Sequence, residues 1–406
     1  MYHVGIDIGK RRHDATVLDE EGQERLHISF PNTAAGAEQL LARLARLAEV
    51  RPEHFGVVVE ATAHYWMGLH GFLTARGLTV TVINPLRSSS IRNLYLRKAK
   101  TDARDSFLLA DLLRMNRVGE SQLPDEDDLK LRQLSRLRFH LVDSVTTSKL
   151  RALALLDRIF PEYQSCFASV FTKSSRALLK RYTTPKQIAE ARPTHLVRLL
   201  KEHSAGRVGR QTAQALQERA KQSIGATVAL DTLAFQLKLL LAQIEFVEGQ
   251  IEQISSAIAD LMRAREPVIL TIPGIGVVLG AAILGEIGDI TRFRGPKNLV
   301  AFAGLDVTVH QSGQYQATRC RISKRGSPQL RRAIWLAAVG SRCRDAQLGD
   351  LYRRQLARGK HPKVAMGAVA RKLTCLIYYI CRHNERYDPN YRLRSTHVAE
   401  SQSAGT

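Results

Sequence analysis

Four carboxylates stand out by the company they keep. Asp7 lies in "GIDIGK", where the alternation of a first strand would otherwise keep an apolar residue. Glu60 ends the apolar run "VVVEAT", and Asp102 and Asp105 fall three apart in "KTDARDS". A helix beginning at Asp102 points both of the latter in one direction. Acids carried into an apolar sheet cost several kcal/mol unless a cation or partner compensates them. A hard divalent cation is the natural compensation. Mg²⁺ takes carboxylate oxygens together with water and phosphate, and a pair of such ions clamps the attacking and leaving oxygens of a phosphodiester. Each acid alone has a plainer reading: Asp7 as a turn residue, Glu60 as a surface strand end, Asp102 as a helix cap. Lys100, closing the basic run "LRSSSIRNLYLRKAK", adds a phosphate-binding charge directly before the pair.

The elements that would position these acids are legible. "YHVGIDIG", "HDATVLDE" and "ERLHISF" alternate as short strands, joined in part by the turn-like "EEGQ". "AAGAEQLLARLARLAE" has helical periodicity, "FGVVVEA" is a buried strand, "YWMGLHGFLTAR" a helix and "LTVTVINP" another strand. From Asp102 to Met115 the spacing predicts a helix with Leu108, Leu109, Leu112 and Leu113 on one face. This order predicts a mixed α/β sheet covered by helices, and acids on a first strand, a later central strand and a following helix fit an RNase H-like nuclease fold.

Downstream the pattern changes. The acidic "DEDD" after Pro124 marks a helix start, and long helical periodicity runs from Leu129 to about Phe160 and again over residues 226–264. Leu233, Leu237, Leu240, Leu241, Ile244, Val247 and Ile251 recur at three and four, which predicts an antiparallel coiled coil or bundle arm. Between these helices, 161–225 is basic and helix-rich. Charge-free "PVILTIPGIGVVLGAAILG" passes a hydropathy test for a membrane span, yet Pro273, Gly274 and Gly276 break it into a hairpin. The Gly276-xxx-Gly280 spacing allows close backbone packing, in a soluble helical hairpin as readily as in a membrane dimer. Closing helices are expected around 328–343 and 362–383, and the tail from Tyr387 reads as disordered. Four regions follow: 1–119, 120–264 with the insertion 161–225, 265–386, and 387–406.

Composition narrows the partner. Sixty Lys+Arg against 38 Asp+Glu give a net charge of +22, which in a soluble protein points to a polyanion and most often to nucleic acid. Aromatics are only 6%, so base stacking is not the main binding mode. Five cysteines without CxxC spacing read as reduced thiols of a cytoplasmic protein, with no zinc site and no signal peptide. "GIDIGK" also opens the actin-like sugar kinases, but those need a second α/β domain with a further phosphate loop, which the helical downstream half does not supply.

In order along the chain, GIDIGK, VEAT, VINP, KTDARD, IPGIG, FAGL, QSG, ISKRG and LRRA are similar to the IS-one-ten family of insertion-sequence transposases, DEDD recombinases that use a bridge RNA to pair donor and target DNA. The resemblance covers roughly 1–150 and 225–385 and leaves 161–225 unmatched. It implies a RuvC-like, RNase H-like domain, then a helical coiled-coil arm, then a mostly helical transposase domain with a helix-hairpin-helix-like segment. It implies that Asp7, Glu60, Asp102 and Asp105 bind Mg²⁺ and that Ser312, in "HQSGQ", is the nucleophile, leaving a phosphoserine link to DNA. By the residues alone, Ser312-Gly313 is a turn, and Ser323 in "ISKRG" is a competing serine. Arg319, Arg321, Lys324, Arg325, Arg331 and Arg332 could hold the scissile phosphate, although charge runs are usually solvated faces. Further implications are a dimer of dimers, with the acids of one protomer completed by the serine region of another, and a cytoplasmic, nucleoid-associated bacterial protein without a membrane partner. A RuvC-like nuclease of the Holliday-junction type, needing the acids and not Ser312, and a non-catalytic scaffold are the alternatives.

Overall fold

A computed structural model describes residues 1–61, 65–83, 102–118, 125–307, 311–312, 315–316 and 321–389. The basic run 84–101 with Lys100, the residue Arg319 and most of the tail therefore lie outside the described residues. The chain forms two compact units, Met1–Leu123 and Pro124–Thr406.

In the first unit, β1 (Tyr2–Ile8), β2 (Arg12–Leu18) and β3 (Glu24–Pro31) form an antiparallel meander. Thr33 caps α1 (Ala34–Leu44), its hydroxyl accepting from Gly36 N at 3.1 Å. The chain then returns as β4 (Phe55–Glu60), parallel to β1, and after α2 (Trp66–Thr74) as β5 (Thr79–Ile83), parallel to β4. α3 (Asp102–Arg114) follows. The sheet order is β3-β2-β1-β4-β5, the mixed sheet expected from the alternation. One face is a continuous core in which Val4, Ile6, Val57 and Val59 meet Leu40 and Leu44 of α1 and Leu69 and Leu73 of α2. The opposite face is smaller: Val58 and Ile83 meet Leu109 and Leu112 of α3. A central strand covered on both faces is apolar throughout, so the polar residues on this second face mark the exception.

The second unit is helical among its described residues apart from one small ribbon. Asp125 caps α4 (Glu126–Ile159), accepting from Asp128 N at 2.6 Å. A 3₁₀ turn, Pro161–Cys166, leads into α5 (Lys173–Arg181), α6 (Pro185–Glu190), α7 (Pro193–Glu202) and α8 (Arg210–Lys221). α9 (Leu230–Arg265) then runs back along α4. Contacts of Arg265 with Asp128 (2.5 Å), Arg138 with Ser255 (2.9 Å) and Lys149 with Glu248 (2.7 Å) fix the pair as antiparallel. Each end of this pair is buried in a different core. Leu156 and Ile159 of α4 and Leu237, Leu241 and Ile244 of α9 pack with the insertion helices around Tyr163, Leu178, Leu196 and Leu216. Leu131, Phe139, Ile258 and Met262 pack instead with the C-terminal helices. The insertion 161–225 is thus a small helical core of its own, closed over one end of the arm.

That C-terminal core contains α10 (Val277–Ile287), α11 (Pro296–Phe302), α12 (Pro328–Arg344), α13 (Ala346–Ala357) and α14 (Pro362–His383). β6 (Gln311–Ser312) and β7 (Tyr315–Gln316) pair between α11 and α12. The glycine hairpin is present, but its tight contacts are not at Gly276, where an added Cβ would meet nothing. They are at Gly274, whose φ of 95° favours glycine and where a Cβ would lie 2.4 Å from Ser341 N, and at Gly280 against Leu270 and Met262. The expectation for the Gly276-xxx-Gly280 pair is corrected accordingly. α10 is only 11 residues long and is buried from Gly280 to Ile287. Among the described residues, the helix with the length and mean hydropathy (1.4) of a membrane crossing is instead Pro362–His383, and its Val369, Ala370, Leu373 and Ile377 are fully buried in this core.

Candidate active site

Strand register brings the sheet acids Asp7 and Glu60 into one row with Asp14. The antiparallel pairing sets Asp14 opposite Asp7 and Ser29 opposite Asp14. The parallel pairing matches Ile6 with Val59, so Asp7 and Glu60 come next on their strands, and Glu60 pairs with Ile83. Ser29, Asp14, Asp7, Glu60 and Ile83 therefore cross the sheet in one line. Directly paired residues share a face, and Ile83 packs against α3, so the row lies on the α3 side. Glu60 is 7% exposed, Asp105 is 5% exposed and Asp7 is half-buried.

Gly5 sets how α3 lies over that row. A Cβ on Gly5 would stand 2.2 Å from both Ser106 O and Ala110 N, so the helix backbone occupies the space of the missing side chain. Nearer the other end of the helix, Gly56 faces Leu113. α3 accordingly runs antiparallel to β1, with its first turn, Asp102 to Asp105, at the strand end that carries Asp7 and Glu60. Asp102 is described as the first helical residue and not by its side chain.

A polar chain without a clear signal in the sequence runs beside the row. Thr16 and Ser106, both fully buried, hydrogen-bond at 2.8 Å although ninety positions apart. Ser106 gives its hydroxyl hydrogen to Ala103 O (2.9 Å), so it accepts from Thr16. Thr16 in turn meets His27 Nδ1 at 3.2 Å, and His27 Nε2 stands 3.8 Å from Asp14 Oδ1. Only the parity of "HDATVLD" hints at it: Asp14 and Thr16 alternate with the core residues Ala15 and Val17.

By donor type and shared face these residues fit a hard divalent cation. Glu60 on the sheet and Asp105 on the helix covering that face, both nine-tenths buried, are oxygen donors of the kind such an ion takes. Among the described residues, no three of the Asp, Glu, His or Cys side chains stand close enough to enclose an ion, and Asp102 is the donor whose side chain is not among them.

The serine lies in the second unit on a ribbon. Ser312 ends β6 and pairs with Tyr315, and an antiparallel bridge between Val307 and Ile322 closes the base. The turn expected at Ser312-Gly313 is thus preceded by a paired strand residue. Ser323 is bound into the adjoining loop: its hydroxyl donates to the Asp306 carboxylate and its N–H to Asp306 O at 2.8 Å. Ser327, donating to Glu286 (2.8 Å) and capping α12 through Leu330 N (3.1 Å), anchors the loop's far end. Lys324, at a φ of 53°, Arg325 and Arg321 are exposed on it. Among the expected phosphate cations, Arg331 and Arg332 have internal partners. Arg331 donates to Ala303 O at 3.2 Å. Arg332 makes a two-pronged pair with Asp143 at 2.6 and 2.7 Å and lies 4.5 Å from the Phe139 ring centre, and this hydrogen-bonded pairing holds the Asp143 carboxyl below its ordinary range.

Comparison with known proteins matches two segments of the chain. Residues 4–161 match a DEDD transposase domain of IS110 elements, and residues 266–353 match the domain described as "Transposase IS116/IS110/IS902 family". The chain belongs to the IS110/IS116/IS902 transposase family. As a transposase of this family it is an enzyme that cuts and rejoins DNA. It is 26% identical over 395 residues, 95% of each chain, to a 43.6-kDa protein of insertion element IS110 from Streptomyces coelicolor. A 42-kDa protein of insertion element IS900 from Mycobacterium paratuberculosis is 26% identical over 400 residues, 95% of this chain and 97% of the relative. The pilin gene-inverting protein of Moraxella bovis is 23% identical over 387 residues, again 95% of this chain and 97% of the relative. These alignments run across the insertion, so the helical core 161–225 is not peculiar to this IS110-family transposase.

Proposed function

We propose that this transposase moves an insertion sequence through a covalent DNA intermediate. Asp7, Glu60, Asp102 and Asp105, in an RNase H-like domain, hold Mg²⁺, and Ser312 is the nucleophile. The row that places Asp7 and Glu60 on one sheet face beneath the first turn of α3 is the observation that carries this reading. Bound there, Mg²⁺ supplies Lewis-acid polarisation of the phosphodiester and neutralises its developing charge.

The chain's own groups do the rest. The Ser312 hydroxyl attacks phosphorus in line, one P–O bond forms to the serine as the bond to the leaving sugar oxygen breaks, and the serine's proton passes to solvent while the leaving oxygen gains one. Arg321, Lys324 and Arg325, exposed beside the ribbon, bind phosphate oxygens and spread their charge. Because the serine ester conserves the energy of the broken bond, attack by a second DNA hydroxyl rejoins strands without ATP.

The net charge of +22 supports binding of DNA together with a bridge RNA held by its backbone and shape, which leaves target choice to base pairing. Assembly as a dimer of dimers draws support from the outer side of α9. Phe235, Leu239 and Phe246, which are 62%, 54% and 69% exposed, form one stripe opposite the face packed on α4. The test is cleavage of element-end DNA by Asp7→Asn and Ser312→Ala proteins. Both are expected to be inactive with DNA binding retained; cleavage surviving Ser312→Ala would favour the junction-type nuclease, cleavage surviving both would place the chemistry on other residues, and a wild type that binds element-end DNA without cutting it would be a scaffold.

A further inference from the structure

The geometry points to Thr16 and Ser106 as positioning residues for the acid site, with His27 as the link that ties them to Asp14. The inference rests on the cation reading of Asp7, Glu60, Asp102 and Asp105 and adds what holds those acids in phase. A helix lying on a sheet can roll about its axis, and one residue of roll is about 100°. Leu109 and Leu112 face an apolar surface that tolerates some roll. A buried hydroxyl pair does not, since displaced partners are left unsatisfied in a dry site.

Here the pair is Thr16 with Ser106, at 2.8 Å and 0% exposed on both sides. Gly5, paired with Thr16 in register, provides the opening through which the helix comes down to reach it. Ser106 directly follows Asp105, so fixing Ser106 fixes the direction of that acid on the helix that Asp102 begins. The proton order extends the clamp. Ser106 donates to Ala103 O, Thr16 donates to Ser106, and His27 Nδ1–H donates to Thr16; Nε2 lies 3.8 Å from the Asp14 carboxylate, beyond hydrogen-bond length, and attracts it as an ion pair when the ring carries both protons. Asp14 stands across the strand pair from Asp7. The chain thus starts beside one acid, crosses two strands and ends against the helix that carries two others. None of its members needs to touch the cation or DNA.

The test is cation affinity measured directly, as Mn²⁺ binding by electron paramagnetic resonance on the full-length protein, alongside the Mg²⁺ dependence of DNA cleavage. Partners one shell out from metal ligands are worth about ten- to a hundredfold in affinity. Thr16→Val, which keeps the shape and removes the hydroxyl, is expected to weaken Mn²⁺ binding by about that factor and to raise the Mg²⁺ needed for half-maximal cleavage in step. DNA binding should be unchanged, and Thr16→Ser should restore wild-type affinity. Should Thr16→Val fail to fold, His27→Leu, at a side chain 34% exposed, carries the same expectation with a smaller loss. Wild-type Mn²⁺ affinity in folded Thr16→Val or His27→Leu overturns the inference alone. A wild type that binds no Mn²⁺ and cleaves without divalent cation overturns the cation reading, and this inference with it.

Discussion

The two halves of the proposed chemistry are built in opposite ways. The acids occupy the most regular part of the molecule, with Asp7 and Glu60 on neighbouring central strands and Asp105 on a helix seated on β1 by Gly5. Ser312 sits on a ribbon of two residues per strand, closed at its base by the isolated Val307–Ile322 bridge. A two-stranded ribbon has little stability of its own, whereas a five-stranded sheet covered on both faces fixes its side chains through packing and register. In our reading the difference separates two tasks. The fold alone orients the carboxylates, while the serine is brought to bear by what its ribbon meets when nucleic acid is bound.

The comparison can be broken most sharply at the acids. Asp7→Asn and Glu60→Gln should each lower cleavage by about 10²–10³-fold or more at unchanged DNA affinity, measured by gel assay and by filter binding. A loss under tenfold would move the chemistry away from the sheet. Next in size is Gly5→Ala, whose methyl would fall 2.2 Å from the backbone of α3. Displacing the helix should cost about 3 kcal/mol in denaturant titrations and abolish cleavage, whereas Gly71→Ala, where a Cβ meets nothing, should do neither. Toward the other half, replacing Phe235 and Phe246 together by Glu should shift the protein to a smaller assembly in analytical ultracentrifugation while leaving its helical content intact, since both rings are exposed on the arm.

The smallest effect concerns the arm's insertion core. Burial alone would raise the Glu248 carboxyl, but Lys149 at 2.7 Å and Arg176 at 2.5 Å outweigh it and hold the group below its ordinary range. A depressed carboxylate contributes stability that is full above its unfolded value of about 4.5 and is lost as pH falls through the lower folded value. Thermal melts between pH 6 and pH 3 should therefore show the wild type losing its advantage over Glu248→Gln only below about pH 4.5. Parallel melting of the two proteins over the whole range would exclude this contribution.

Much of the fold is legible in the amino-acid sequence. Alternation, with the unbroken apolar run of β4, locates all five strands of the sheet, and three-four spacing locates the long helices, because each of those elements buries enough surface to mark the residues. Relations between elements leave no such trace. Asp14 reads as an ordinary strand residue until register sets it opposite Asp7. Thr16 and Ser106 are small polar residues of no obvious consequence until the gap at Gly5 brings them together. The helix α13, absent from the expected pair of closing helices, has a quiet start because a single residue makes it: Asp345 ends α12 and caps α13 through Leu348 N at 2.7 Å, with no glycine or proline at the junction. Arg332 reads as one more phosphate cation, and its partner Asp143 lies far back on α4 where sequence proximity gives no hint.

The most direct measurement is mass spectrometry of the protein–DNA adduct formed when wild-type enzyme, Mg²⁺ and element-end DNA are quenched during reaction. The account predicts a nucleotide bound through phosphate to Ser312, absent when Asp7 is replaced by Asn or when divalent cation is removed. An adduct on Ser323 or any other residue, or strand rejoining by a Ser312→Ala protein, would contradict it.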